Sequence, residues 1–151
     1  EFRRVLFRSR HALKDPGSAV TLGEELSLAQ RYLAIEQVRF GERLKVEWDL
    51  DPQADAAQLP PLLLQPLVEN AVCHGVEPCA QGAAIRISTR CKGTVVVIKV
   101  TNTVPAGQGV RGHGLALRNV QERLALLHDV QGQFKSGLKD GVYQVRMEVP
   151  L

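Results

Sequence analysis

The alternation of apolar and polar positions divides most of the chain into helices and strands. Thr21 and Glu24 form a T-x-x-E capping box that opens a helix from about Leu22 to Phe40, and Gly41 ends it. Leu22, Leu26, Ala29, Leu33 and Val38 with Phe40 give this helix an apolar side. Leu44 to Leu50, LKVEWDL, alternates strictly, which predicts a strand with Leu44, Val46, Trp48 and Leu50 on one face. A polar connection closed by prolines runs from Asp51 to Pro61. It leads into a second helix, with Pro66 near the first turn, where a missing N–H costs least. Leu64, Leu67, Val68, Ala71 and Val72 recur at i, i+3, i+4, i+7 and i+8, a stripe that must face a core.

AAIRISTR and TVVVIKVTN, joined around Lys92-Gly93, predict a hairpin whose second strand is nearly continuous in apolar residues and therefore central. TVPAGQGVRGHG follows, with Gly107, Gly109, Gly112 and Gly114 close together, a loop rather than regular structure. A third helix, roughly Leu115 to His128, turns Leu117, Val120, Leu124 and Leu127 inward. QFKSGL and GVYQVRMEVP then pair through the turn Lys139-Asp140-Gly141. The order helix, strand, helix, hairpin, loop, helix, hairpin predicts an α+β two-layer sandwich: a mixed, mostly antiparallel sheet covered on one face by three helices.

Length and composition agree with one domain: 151 residues, 44% hydrophobic and 23% charged, enough for a single core. The opening EFRRVLFRSRH has no clean period, and Arg3, Arg4, Arg8 and Arg10 crowd into it. Residues 1–12 are read as a segment outside the domain and 13–151 as the domain, with a turn at Pro16-Gly17. Without those four arginines the formal charge of +3 is close to neutral. Aromatic residues are 5% and interleave with no basic run, so nucleic acid is not an expected partner. No apolar run reaches the ~18 residues that cross a bilayer, and the N-terminal apolar stretch is too short for a signal peptide. The chain itself is expected to be cytoplasmic and to make no direct membrane contact. Cys73, Cys79 and Cys91 include no C-x-x-C pair, which favours reduced thiols; zinc held by Cys73, His74 and Cys79 is the weaker reading.

Two patches carry chemistry. In LLLQPLVENAVCHG an acid, an amide and an imidazole, Glu69, Asn70 and His74, interrupt an otherwise apolar helix, and Asn70 and His74 are four apart on one face. A neutral amide oxygen on a rigid helix suits Mg²⁺, which keeps most of its water and takes other ligands from phosphates. The neighbouring carboxylate can orient water or accept a proton. The plain alternative is that Asn70 bonds a neighbouring loop while Glu69 is merely solvated. In GHGLALRN, Gly112 and Gly114 let backbone N–H groups approach an anion where the third helix begins. A Mg²⁺-type asparagine and a glycine-rich mouth together are the two halves of a nucleoside triphosphate site.

Through YLAIEQVRFGERL, LQPLVENAVCHG and GHGLALRNVQERLALLHD, the chain resembles the ATP-binding domain of the LytS/YehU-type sensor histidine kinases, and within them the AlgZ/FimS branch. The superfamily also contains gyrase and MutL, and the fold implied is the Bergerat ATP sandwich. The resemblance covers nearly everything after residue 12. It implies Asn70 as the Mg²⁺ ligand, Glu69 as proton acceptor or water orienter, and His74 near the nucleotide, with Gln65 part of the same motif. Gly112 and Gly114 match the glycine box that holds phosphates, and Leu117 and Asn119 continue its tail. Gly107 and Gly109 would lie in the ATP lid, with Arg111 a phosphate contact. The implied partners are the phosphoacceptor-histidine helix of a parent kinase, anchored in the inner membrane, and a response regulator of LytTR or AlgR-like type.

Four departures from the family pattern stand out. Asn102 occupies the position of the aspartate that accepts from the adenine amino group, losing charge assistance, and no glycine follows two residues on. Ala116 replaces a glycine of the glycine box. Pro66 stands where hydrolysing relatives carry an acid, and no H-F-x-F-N-like phosphoacceptor motif occurs. These leave open a degenerate module that docks partners without efficient catalysis. An anti-sigma-type serine kinase is a third reading, against which YLAIEQVRFGERL and the Gln65–Asn70 pattern speak.

Overall fold

The computed structural model describes residues 19–104, 117–122 and 133–151. Helix α1 runs Leu22–Phe40, the predicted span, with the Thr21 hydroxyl accepting from the Glu24 N–H at 3.2 Å. Gly41 stops it at φ 61, a left-handed value that glycine adopts without a Cβ clash. Leu22, Leu26, Ala29 and Leu33 are buried, each leucine contributing roughly 2–3 kcal/mol of burial. Val38 is not on that side: it is 87% exposed. Five residues beyond Leu33 it has turned about 140° round the helix, away from the sheet.

The sheet has five strands, β2 Leu44–Asp49, β4 Ala83–Lys92, β5 Val95–Thr103, β6 Gln133–Lys139 and β7 Val142–Pro150, in the order β2-β4-β5-β7-β6. β5 is central, as its apolar run predicts. Only β2 and β4 are parallel, Leu44 opposite Ala83, because the connection between them passes through helix α2, Leu64–Ala71. The other pairs are antiparallel. Asp140 (φ 54) and Gly141 (φ 78) make the β6–β7 turn left-handed at both positions, matching the strands' twist. Edge position leaves Val46 and Trp48 of β2 only half-buried, and Leu50 falls beyond the strand.

Ile85, Ile87, Ile98, Val100, Val145 and Met147 meet α1 and α2 in one core, joined by Leu117 and Val120 from the helical residues 117–122. On the opposite face Arg86 pairs with Glu47 and Asp49, and Arg90 with Asp49. The hydrogen bond from Arg90 holds the Asp49 carboxyl below its ordinary range. This is the expected sandwich, with one addition that no periodicity announces. Val20–Thr21 (β1) and Gln58–Leu59 (β3) form a two-residue antiparallel pair outside the main sheet.

Candidate functional site

The helix that carries the site is capped by a residue of another helix. Glu25 of α1 is 3% exposed, and its carboxylate accepts from the N–H groups of Leu62 (3.2 Å), Leu63 (2.8 Å) and Leu64 (3.0 Å). Leu62 has φ 58, so the chain turns sharply into α2 and presents its first amides together. A buried anion at the positive end of the helix satisfies donors that nothing within the helix can reach. α2 thereby fixes Leu64, Leu67, Val68 and Ala71 in the core and sets the direction of the residues between them.

Glu69 is exposed on this helix and accepts from Gln65 Nε2 at 3.1 Å, one turn earlier. Gln65 and Glu69 thus form an i, i+4 side-chain pair on the exposed face of the helix. Beside Glu69, Asn70 is a buried polar residue, 8% exposed. Tyr32 of α1 stands close by. Burial, with the carboxylates of Glu36, Glu69 and Glu77, pushes its phenol well above the ordinary tyrosine range.

The regular register ends after Ala71. Val72–Val76 forms a π turn, with Glu77 N–H bonded to the Val72 carbonyl at 3.1 Å. The single α-helical face expected to join Asn70 and His74 therefore does not extend to His74, which is half-buried on the wider turn. The turn instead brings Gly75 against Asn102 on central strand β5. A Cβ on Gly75 would lie 3.0 Å from Asn102 Nδ2 and 3.2 Å from its Cβ. Asn102 is 2% exposed and donates through Nδ2 to the Thr103 carbonyl at 3.1 Å. That bond makes Oδ1 the end able to accept from a third group. Restoring the family's carboxylate, Asn102→Asp, sets an oxygen against the Thr103 carbonyl. Thermal unfolding is expected to show a loss of about 2 kcal/mol; unchanged stability would remove this orientation.

The turn is tied down at its far end by Arg43, which follows α1 in the 3-10 turn Gly41–Arg43. Its Nη2 donates to the carbonyls of Val76 (3.0 Å) and Cys79 (2.8 Å), and its guanidinium lies 5.3 Å from the Phe40 ring centre. Gly82 (φ 93) packs on the same residue so closely that a Cβ would fall 2.1 Å from the Arg43 carbonyl oxygen. Gly82→Ala is expected to cost about 3 kcal/mol in chemical denaturation. A cost under about 1 kcal/mol would show that β2 and β4 separate readily there.

Leu117 is buried in the core and Asn119 exposed, so of the two only Asn119 presents its side chain to solvent. Gly107, Gly109, Arg111, Gly112, Gly114 and Ala116 lie outside the described residues, as do residues 1–12, Pro16-Gly17, Leu124 and Leu127. Cys73 is exposed, and Cys79 and Cys91 are half-buried thiols. Among the described residues no group of three His, Cys, Asp or Glu side chains could hold a metal ion, so Cys73, His74 and Cys79 do not gather into a zinc site. A single-carboxamide Mg²⁺ site, the expectation for Asn70, needs no such cage, because such an ion takes its other ligands from phosphates and water. None of the described helices is long and apolar enough to cross a membrane.

Comparison with known proteins agrees with this fold. The family model described as histidine kinase matches residues 3–44. The sensor histidine kinase YesM of Bacillus subtilis is 36% identical over 127 residues, 81% of this chain and 22% of that protein. The sensor protein LytS of Enterococcus faecalis is 26% identical over 151 residues, 89% of this chain and 25% of that protein. The chain thus spans about a quarter or less of these curated relatives. Among solved structures, the catalytic domain of histidine kinase ThkA superposes with a TM-score of 0.65 at 14% identity, over 88% of this chain and 95% of that one. ThkA in complex with the response regulator TrrA gives 0.62 at 12% identity, over 98% of this chain and 48% of that one. At such identities the structural likeness is one of fold.

Proposed function

We propose, from the premise that this chain belongs to the LytS-type sensor histidine kinases as their ATP-binding domain, that it binds Mg·ATP and donates the γ-phosphate to a histidine outside these residues. The observation that carries the reading is that the π turn following Glu69 and Asn70 on α2 packs Gly75 against Asn102 of β5. Purine recognition falls to Asn102, whose Oδ1 accepts from the adenine amino group. Asn70 holds the cation through its carboxamide oxygen, and Mg²⁺ so bound would neutralise charge on the phosphates. Glu69, exposed and oriented by Gln65, takes the ring proton of the attacking imidazole. A nitrogen–phosphorus bond forms at the γ-phosphorus, the bond to the bridging oxygen breaks, and ADP leaves. The described residues of the domain mainly position the reactants.

The glycines of 107–114, with Arg111, are assigned to the phosphates, and Asn119 and His74 to the rim of the site. Leu117 supports that rim from the core. The partners are the phosphoacceptor helix of a longer parent, held at the inner membrane with this domain in the cytoplasm, and a response regulator. ThkA, whose fold is shared, is described in complex with one. LytTR-type regulators and the AlgZ/FimS branch are the finer assignment, supported by GHGLALRNVQERLALLHD. Incubation of the chain with γ-labelled Mg·ATP and a phosphoacceptor helix from a relative tests the reading. Acid-labile phosphohistidine on the helix is the expected product. ATP binding without transfer would favour the docking-module reading, to which the amide at Asn102 lends support. Label on serine would point to a serine kinase.

A further inference from the structure

YLAIEQVRFGERL, the most distinctive stretch of the first helix, contributes no residue to the site as described, yet three of its polar side chains turn toward it. Tyr32 stands beside Glu69, Arg39 pairs with Glu36 (3.3 Å) and Glu77 (3.8 Å), and Arg43 holds the Val76 and Cys79 carbonyls. Arg39 and Arg43 also stack on Phe40, at 4.7 and 5.3 Å from the ring centre. Of these groups Arg43 alone engages backbone at two points. Its Nε is buried with no partner among the described residues, so the guanidinium is placed for the two carbonyls rather than for its own full satisfaction.

We propose that Arg43 is a positioning residue for the nucleotide site, holding the far end of the π turn so that Gly75 stays pressed on Asn102. The inference rests on the ATP-binding reading above. Val72–Val76 has only five residues, and its start is fixed by α2. With the Val76 and Cys79 carbonyls also held, Gly75 has no latitude to withdraw, and the Asn102 carboxamide keeps one orientation. A guanidinium is suited to this because one planar group presents several donors at fixed angles. A lysine ammonium keeps the charge but not the fork, and a methionine keeps only the apolar stem.

Arg43→Met, Arg43→Lys and Phe134→Ala, a remote variant of β6, are compared with the unmodified chain in two measurements. Without ligand, hydrogen exchange is followed at the amides of Glu77, Cys79 and Gly82, which donate to the Val72, Val76 and Cys79 carbonyls. In Arg43→Met these exchange faster relative to the strand amides, while Phe134→Ala leaves that ratio unchanged. With ligand, the ratio of ADP to GDP affinity is measured well below each unfolding midpoint. It falls roughly fivefold in Arg43→Met, the effect of one misplaced hydrogen bond. Arg43→Lys recovers part of it, and Phe134→Ala keeps the original value despite its lower stability. Unchanged exchange in Arg43→Met overturns the brace whether or not nucleotide binds. Unchanged base selectivity overturns its link to the site. Faster exchange in a chain whose unmodified form binds no nucleotide overturns the ATP reading, and with it the role given to Arg43.

Discussion

Replacing Glu25 by alanine is expected to lower stability by about 4 kcal/mol, seen as a fall in the unfolding midpoint of roughly 10 °C. The side chain is 3% exposed and accepts from three consecutive amides at 2.8–3.2 Å. Truncation leaves those donors in a space too apolar to offer them water, and removes the negative charge opposite the start of α2. The total stability of a domain this size is only about 5–15 kcal/mol, so a loss of that order is a large share of it. Glu25→Gln should fall between the two. Its amide oxygen can still accept, but its NH₂ group faces N–H groups that need an acceptor. A loss below about 1 kcal/mol for the alanine variant would mean that α2 starts correctly without its cap.

The second large effect falls on binding. Asn70→Ala is expected to weaken Mg·ATP affinity about a hundredfold, about 3 kcal/mol, and to abolish phosphohistidine formation. Stability should change far less. Asn70 is buried at 8% exposure, and alanine is small and well suited to a helix interior. Asn70→Asp retains an oxygen ligand, so it should bind better than alanine does. Loss of folding in Asn70→Ala would instead assign the carboxamide to the scaffold.

Much of the fold is legible in the chain because its signals are local. Thr21, Glu24 and Gly41 mark both ends of α1, and alternation marks β2 and β7. Gly93 and Asp140-Gly141 mark the hairpin turns. What is not legible depends on contacts between segments remote in sequence. Glu25 looks like an ordinary first-turn acid, yet its partners are Leu62 to Leu64. β1 and β3 are two residues each, too short to show a period. α and π turns draw on the same residues, so VCHGV gives no sign of its wider pitch. Val38 is apolar by composition, but its angle on the helix turns it to solvent.

The same division holds for the site. Glu69 and Asn70 stand out as polar residues within an apolar run, and the structure puts both on α2. Gly75 has a signal of its own as a glycine within a helical pattern, a common mark of close packing. Its neighbour Asn102 is marked only by its place in the family pattern, and that Gly75 packs against it follows from the fold alone. Arg43 has no signal beyond its place in YLAIEQVRFGERL, and its role follows from the Val76 and Cys79 carbonyls, remote from it in sequence.

The most direct measurement is calorimetric titration of ATP into the unmodified chain and into Asn70→Ala, each with Mg²⁺ and with a chelator. Micromolar binding that requires Mg²⁺ and is lost in the folded variant is the expected result. Equal affinity in both proteins, or affinity indifferent to the cation, would contradict the place given to Asn70.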